Sequence, residues 1–76
     1  MPALIPIKRA KFEKFLLFIG CKYKRSKGDH FIYDREDLKR PIVITADREV
    51  PVFIIRNNLR TLGLSVEEFL TILEEL

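Results

Sequence analysis

At Gly20 the hydrophobic pattern of this chain switches from a helical period to a strand period. Phe12, Phe15, Leu16 and Ile19 fall at i, i+3, i+4 and i+7, which places them on one face of a helix over Lys8–Ile19. Lys8, Arg9, Lys11, Glu13 and Lys14 occupy much of its other side. Gly20 suits the left-handed residue that ends a helix, and Pro6 lies upstream, where its missing N–H costs no helical hydrogen bond. Residues 21–27 and 30–35 then read as two strands about Gly28-Asp29, a pair that tolerates positive φ and favours a tight hairpin. With a two-residue loop, Lys27 lies opposite His30 and Arg25 opposite Ile32. A three-residue loop would slip that register, and the sequence leaves both open.

The second half continues with the same alternation of periods. Asp34–Arg40 is a polar connection, in which Asp34, Glu36 and Asp37 read as solvated loop residues. Pro41–Thr45 is a third short strand whose proline suits a strand start or an edge. Ala46–Val50 reads as a charged loop. A helix is expected from about Pro51, with Ile55, Leu59 and Leu62 on its buried face and Gly63 at its end. Ser65-Val66-Glu67-Glu68 has the form of a capping box, and the last helix is expected to bury Val66, Phe69, Leu70 and Leu73. The order α-β-β-β-α-α implies an α+β two-layer domain: a three-stranded antiparallel sheet with helices on one face. Leu17, Phe18 and Ile72 are left over from these faces, as wider core packing or as part of an interface.

Composition narrows the class. The chain has 76 residues, a length for one domain over residues 1–76, and its 47% hydrophobic content with six phenylalanines makes a single core feasible. No apolar run approaches the roughly 20 residues that span a bilayer. Met1–Ile7 is too short for a signal sequence and has no basic residues before it, so a cytoplasmic location without membrane attachment is expected. One cysteine, Cys21, excludes an internal disulfide and a cysteine-based zinc site, and reads as a small buried hydrophobe. No carboxylate pair has metal-ligand spacing with a histidine nearby, and no phosphate loop, nucleotide fingerprint or Ser-His-Asp arrangement occurs. Neither a metal nor a cofactor is expected.

The net charge of +3 conceals an asymmetry. Residues 8–40 carry eleven Lys/Arg against five Asp/Glu, a balance of +6, and residues 41–76 carry three against six, a balance of −3. A basic half is the footprint of a nucleic-acid binder. Between Cys21 and Tyr33, five of thirteen residues are Lys, Arg or His, and the chain's single histidine follows the expected turn. Clustered cations beside one imidazole suit a polyanion with a scissile phosphate, which points to RNA.

The residues that carry a family resemblance are these: a basic first helix closed by Gly20; Arg25-Ser26-Lys27-Gly28-Asp29-His30 followed by Tyr33; Lys39-Arg40 before the third strand; Ile55-Arg56-Asn57-Asn58-Leu59-Arg60-Thr61-Leu62-Gly63-Leu64-Ser65; and Glu67-Glu68-Phe69. Together they resemble the HicA-like mRNA interferase toxins, also called the YcfA family, whose domain is a small relative of the double-stranded-RNA-binding fold. The resemblance implies the toxin of a type II toxin–antitoxin system, a metal-independent endoribonuclease acting on mRNA and silenced by a cognate HicB-type antitoxin. Such an antitoxin would cover the basic sheet face and His30 with acidic side chains. Three positions depart from the family pattern. Asp29 replaces the usual serine before the histidine, Thr45-Ala46-Asp47 stands where Pro and a second His are common, and Phe53-Ile54 replaces a Gly-Thr.

RNA brings its own nucleophile, the 2′-hydroxyl, so cleavage without metal needs proton transfer and charge stabilisation. His30 is the candidate catalytic residue, exchanging a proton with the 2′-hydroxyl or the leaving 5′-oxygen. Lys24, Arg25 and Lys27 would hold the phosphate, with Lys8, Arg9 and Lys11 extending the track along the first helix. Tyr23 and Tyr33, with Phe31, are candidates for base stacking, although aromatics at such positions are more often core or sheet-face residues, and Tyr33, Tyr23 or a lysine is a candidate for the second proton transfer. The alternative is a non-catalytic RNA-binding module on the same scaffold, which Asp29 and the missing second histidine favour and the retained His30 opposes.

Overall fold

The computed structural model describes residues 3–76; Met1 and Pro2, which open the short N-terminal stretch, lie outside them. The elements are β1 (Ile7–Lys8), α1 (Arg9–Phe18), β2 (Lys22–Lys27), β3 (His30–Asp34), β4 (Ile42–Thr45), β5 (Glu49–Val50), α2 (Val52–Leu62) and α3 (Val66–Glu74). The three-stranded antiparallel sheet runs in the order β2-β3-β4, and the three helices complete the expected α+β domain.

No side chain caps the start of α1. The Arg9 N–H instead donates to the Arg48 carbonyl at 2.8 Å, beside an antiparallel ribbon in which Ile7 pairs with Val50 and Lys8 with Glu49. Ala46–Val50 is therefore not all loop: Glu49–Val50 forms β5. A strand of two residues is too short to display a period, and β5 exists because β1 supplies its partner. At the other end of α1, Gly20 adopts φ +93° and the N–H groups of Gly20 and Cys21 donate to the carbonyls of Leu17 and Leu16 at 3.1 and 2.9 Å. That pair of bonds stops the helix and turns the chain into β2.

The hairpin has the two-residue loop, with Gly28 at φ +58°, Lys27 opposite His30 and Arg25 opposite Ile32. The register then shifts between Tyr23 and Arg25, so that Tyr23 pairs with Tyr33 and Lys22 with Asp34. Lys24 is the extra residue of this bulge. Strict alternation would aim Tyr23 at the face that bears His30; the bulge turns it to the opposite face.

Tyr33, Ile42 and Ile44 are buried and point to one face of the sheet, where the helices lie. Phe12, Phe15 and Phe69 form the centre of the core, with the Phe15 and Phe69 rings edge to face at 4.7 Å. Cys21 is buried with them, as expected. On the opposite face His30 is exposed, and Ile32, Val43 and Thr45 are half-buried. One packed face and one wet face are the usual arrangement of an antiparallel sheet.

Pro51 caps α2 from just outside rather than opening it, and Ile55, Leu59 and Leu62 are buried as their spacing requires. Asn58, on the same helix, is the one buried polar side chain among the described residues. Its Nδ2 donates to the Val43 carbonyl at 3.3 Å, tying α2 to the open edge of β4. Ser65 and Glu68 make the reciprocal capping box at 3.0 Å each. In α3 Phe69 and Leu73 are buried, whereas Val66 and Leu70 are only half-covered. Leu17 and Phe18 are exposed, and Ile72 packs against the core. No helix of the described residues is long and apolar enough to cross a membrane.

Candidate functional site

His30 opens β3 immediately after the turn, and three neighbours define its surroundings. Lys27 faces it across the hairpin on β2, Thr45 faces it on β4, and Asp29 lies at the turn beside it. The turn is fixed from outside as well, because the Ala46 N–H donates to the Asp29 carbonyl at 2.7 Å. Arg25 sits two positions from Lys27, opposite Ile32, and therefore on the same face. Among the described residues, His30, Arg25 and Lys27 have neither a hydrogen-bonding side-chain partner nor a carboxylate within ion-pair distance. The imidazole and two cations are thus open to solvent and to each other's ligand.

A groove of about 410 Å³ continues from His30 in the direction away from Lys27. Its near wall is β4, with Val43 and Thr45; its far wall is α2, with Ile54, Asn57, Arg60 and Thr61, and Arg40 stands at its end. A second depression holds Lys27, Asp29, His30 and Ile32 on the other side, and the two share His30 and Val43. His30 thus lines two depressions, one with Lys27, near Arg25 on the same face, and the other a groove whose lining farther along includes Arg40 and Arg60. The far wall was not foreseen from sequence. Asn57, Arg60 and Thr61 fall at i, i+3 and i+4, a legible polar face of α2, but nothing local says that this face meets β4.

The remaining expected site residues are placed elsewhere. Lys24 is the bulge residue and pairs with Asp34, its Nζ 3.6 Å from Oδ2, at the end of the hairpin remote from His30. Lys8 and Lys11 lie with Lys14 and Leu76 around a separate depression, and Lys8 with Arg9 also lines one that reaches Ala46, whose N–H bonds the Asp29 carbonyl. Arg9 is engaged in folding: its Nη1 donates to the Ala46 carbonyl at 2.6 Å and its guanidinium stacks 5.0 Å from the centre of the Phe31 ring. Tyr33 is not available for stacking. It is 5% exposed, its hydroxyl donates to Glu13 Oε1 at 2.7 Å, and burial, then that hydrogen bond, pushes the phenol well above its ordinary range. Tyr23 is exposed but on the helix side, its ring tilted against Tyr33 at 5.7 Å, away from the imidazole. Of the polar loop, Arg35 pairs with Asp37, which holds the Asp37 carboxyl below its usual range. Burial pushes the Cys21 thiol up, which keeps it protonated and out of the chemistry.

Fold and site together define a small basic α+β domain, consistent in architecture with a double-stranded-RNA-binding-like fold, with one exposed histidine beside cations on its wet sheet face. The profile of the family described as HicA toxin of bacterial toxin-antitoxin matches residues 9–64, α1 through the end of α2. The chain belongs to the HicA toxin family, and as the toxin of a toxin–antitoxin pair it has an antitoxin for a partner. Comparison with curated proteins and with solved structures returns no match. The matched segment holds His30, Arg25, Lys27, Arg40, Arg60 and Asn58, and leaves Lys8 and α3 outside.

Proposed function

We infer that this chain is a single HicA-like domain acting as a metal-independent endoribonuclease on mRNA in a type II system, with His30 as its catalytic residue. The observation that carries this reading is the register of the hairpin, which puts Lys27 directly opposite an unpartnered His30 with Arg25 on the same face. In the reaction, the 2′-hydroxyl loses its proton and its oxygen attacks the adjacent phosphorus. The bond from phosphorus to the 5′-oxygen breaks, and that oxygen gains a proton, leaving a 2′,3′-cyclic phosphate and a 5′-hydroxyl. His30 handles one of these two protons. Lys27 and Arg25 hold the phosphate and offset the charge that grows on its oxygens. Tyr33 is buried and Tyr23 lies on the other face, so of the groups considered for the second proton, Lys27 is the one that shares a depression with His30. A HicB-type antitoxin would silence the enzyme by laying acidic side chains over this face.

The test is incubation of purified protein with a long single-stranded RNA in EDTA, beside His30→Ala, followed by analysis of fragment ends. Wild-type cleavage with cyclic phosphate ends, reduced in His30→Ala by roughly the 10²- to 10⁴-fold that acid–base catalysis contributes, is the expected result. Equal cleavage by both proteins would remove His30 from the mechanism. Binding by both without cleavage would leave the non-catalytic RNA module, the reading that Asp29 beside the imidazole favours.

A further inference from the structure

We propose that Arg40 and Arg60 form a second phosphate-binding wall, so that a bound RNA strand crosses the sheet from Lys27, over His30, into the groove between β4 and α2. The inference rests on the RNA-directed reading above and adds to it a path, a direction and two residues.

Three observations carry it. First, the groove begins at His30: the imidazole lines both it and the depression shared with Lys27, so a strand whose phosphate sits at His30 must continue into one of them on each side. Second, the two arginines are unspent. Both are exposed, and among the described residues neither has a carboxylate within ion-pair distance, whereas Arg9, Lys24 and Arg35 are paired with Glu13, Asp34 and Asp37. Third, the dimensions fit a short run of nucleotides. Adjacent strands lie about 4.8 Å apart, so Lys27, His30 and Thr45 span roughly 10 Å across the sheet. Ile54 to Thr61 adds a helical wall of about 10 Å at 1.5 Å per residue.

The groove also has the right chemistry for a backbone rather than for an apolar ligand. Arginine presents a planar fork of donors that matches phosphate oxygens. Asn57, Thr45 and Thr61 add neutral polar groups between the cations and the imidazole. Arg60 lies in the last turn of α2, where a cation also complements the helix dipole. That role needs no ligand, and the two roles separate by their response to RNA and salt.

The experiment uses His30→Ala as the host, so that RNA is bound without being cut, and measures fluorescence anisotropy of a labelled single-stranded oligonucleotide over a series of salt concentrations. Adding Arg40→Gln and Arg60→Gln together is expected to flatten the slope of log K against log salt by about 1.4, two contacts at about 0.7 each for a single strand. The loss should be similar for oligonucleotides of different sequence, since phosphate contacts carry no base information. Lys14→Gln, a cation outside both depressions, is expected to leave the slope unchanged. Arg40→Lys with Arg60→Lys is expected to retain the slope, and unchanged thermal unfolding of the Gln pair would show that binding, not folding, was altered. An unchanged slope in the Gln pair, together with a flattened one in Arg25→Gln with Lys27→Gln, would overturn the second wall while leaving RNA binding intact. No binding of RNA by the host protein at all would overturn the RNA-directed reading and this inference with it.

Discussion

Replacing Tyr33 by Phe removes a single oxygen from a side chain that is 5% exposed, and the structure says what that oxygen does. It donates to Glu13 Oε1 at 2.7 Å, and the other oxygen of Glu13 lies 3.6 Å from Arg9 Nε, so the phenol helps orient the carboxylate that holds the start of α1. A hydrogen bond to a charged acceptor contributes about 1.5–3 kcal/mol when well buried. The Glu13 side chain is 27% exposed and solvent competes for it, so about 1–2 kcal/mol is the expected loss. In a domain of this size that lowers Tm by roughly 5–15 °C. The pH dependence is more diagnostic. Burial first, and the bond to Glu13 second, keep the phenol protonated in the fold, whereas in the unfolded chain it ionises near pH 10. The unfolded state therefore binds fewer protons above about pH 10, and the stabilisation, fully present below that pH, is lost as pH rises, by up to about 1.4 kcal/mol per pH unit. Urea unfolding of wild type and Tyr33→Phe between pH 8 and 11 should show the difference between them shrinking above pH 10, with RNA cleavage at neutral pH retained by the variant. Unchanged stability with lost cleavage would refute the reasoning and return the phenol to the active site.

Asn58→Ala leaves the Val43 carbonyl at the edge of β4 without its donor and is expected to cost about 1–3 kcal/mol, read as a lower urea midpoint at unchanged m-value; no change in midpoint would mean that water replaces the amide freely. Cys21, buried and with its thiol pushed up, should react with a thiol reagent at neutral pH only as fast as the chain opens, and at once in denaturant; rapid labelling of the folded protein would contradict its place in the core.

The parts of this molecule that were legible in its sequence are those whose cause is local. Gly28-Asp29 marks the turn of the β2–β3 hairpin, whereas the choice between a two- and a three-residue loop, and so the pairing of Lys27 with His30, stayed open in the sequence; in the fold the Ala46 N–H on the Asp29 carbonyl helps to hold the two-residue loop. The apolar spacing of α1, the buried face of α2 and the capping box of α3 are likewise properties of short windows. What escaped was decided by distant partners. β5 is two residues held by β1, and no window of that size carries a period. The bulge at Lys24 reverses the sense of Tyr23 and releases Lys24 toward Asp34, an interaction that the charge pattern of β2 alone does not specify. The placement of Arg60 in the groove that His30 lines required α2 to meet the edge of β4, a meeting that includes the hydrogen bond from Asn58 to the Val43 carbonyl across 15 residues of sequence.

That division explains how one small chain can carry so many cations and still fold. The helix-facing side of the sheet must be apolar, and the charged groups that approach it are neutralised: Arg9 by Glu13 and by carbonyls of the β4–β5 turn, Arg35 by Asp37. The other side contributes little to the core and has no such requirement: Arg25 and Lys27 stand on it, and Arg40 and Arg60 line the groove at its β4 edge, without counterions from the described residues. Like charges on one surface repel and weaken the free domain, so nothing in folding favours leaving them unpaired. Ion pairs within the chain would remove that repulsion and would also abolish the attraction for a polyanion. A surface left in that state suits a polyanion, and His30 stands on it opposite Lys27 because a turn held by Gly28 and by the Ala46 N–H on the Asp29 carbonyl puts it there.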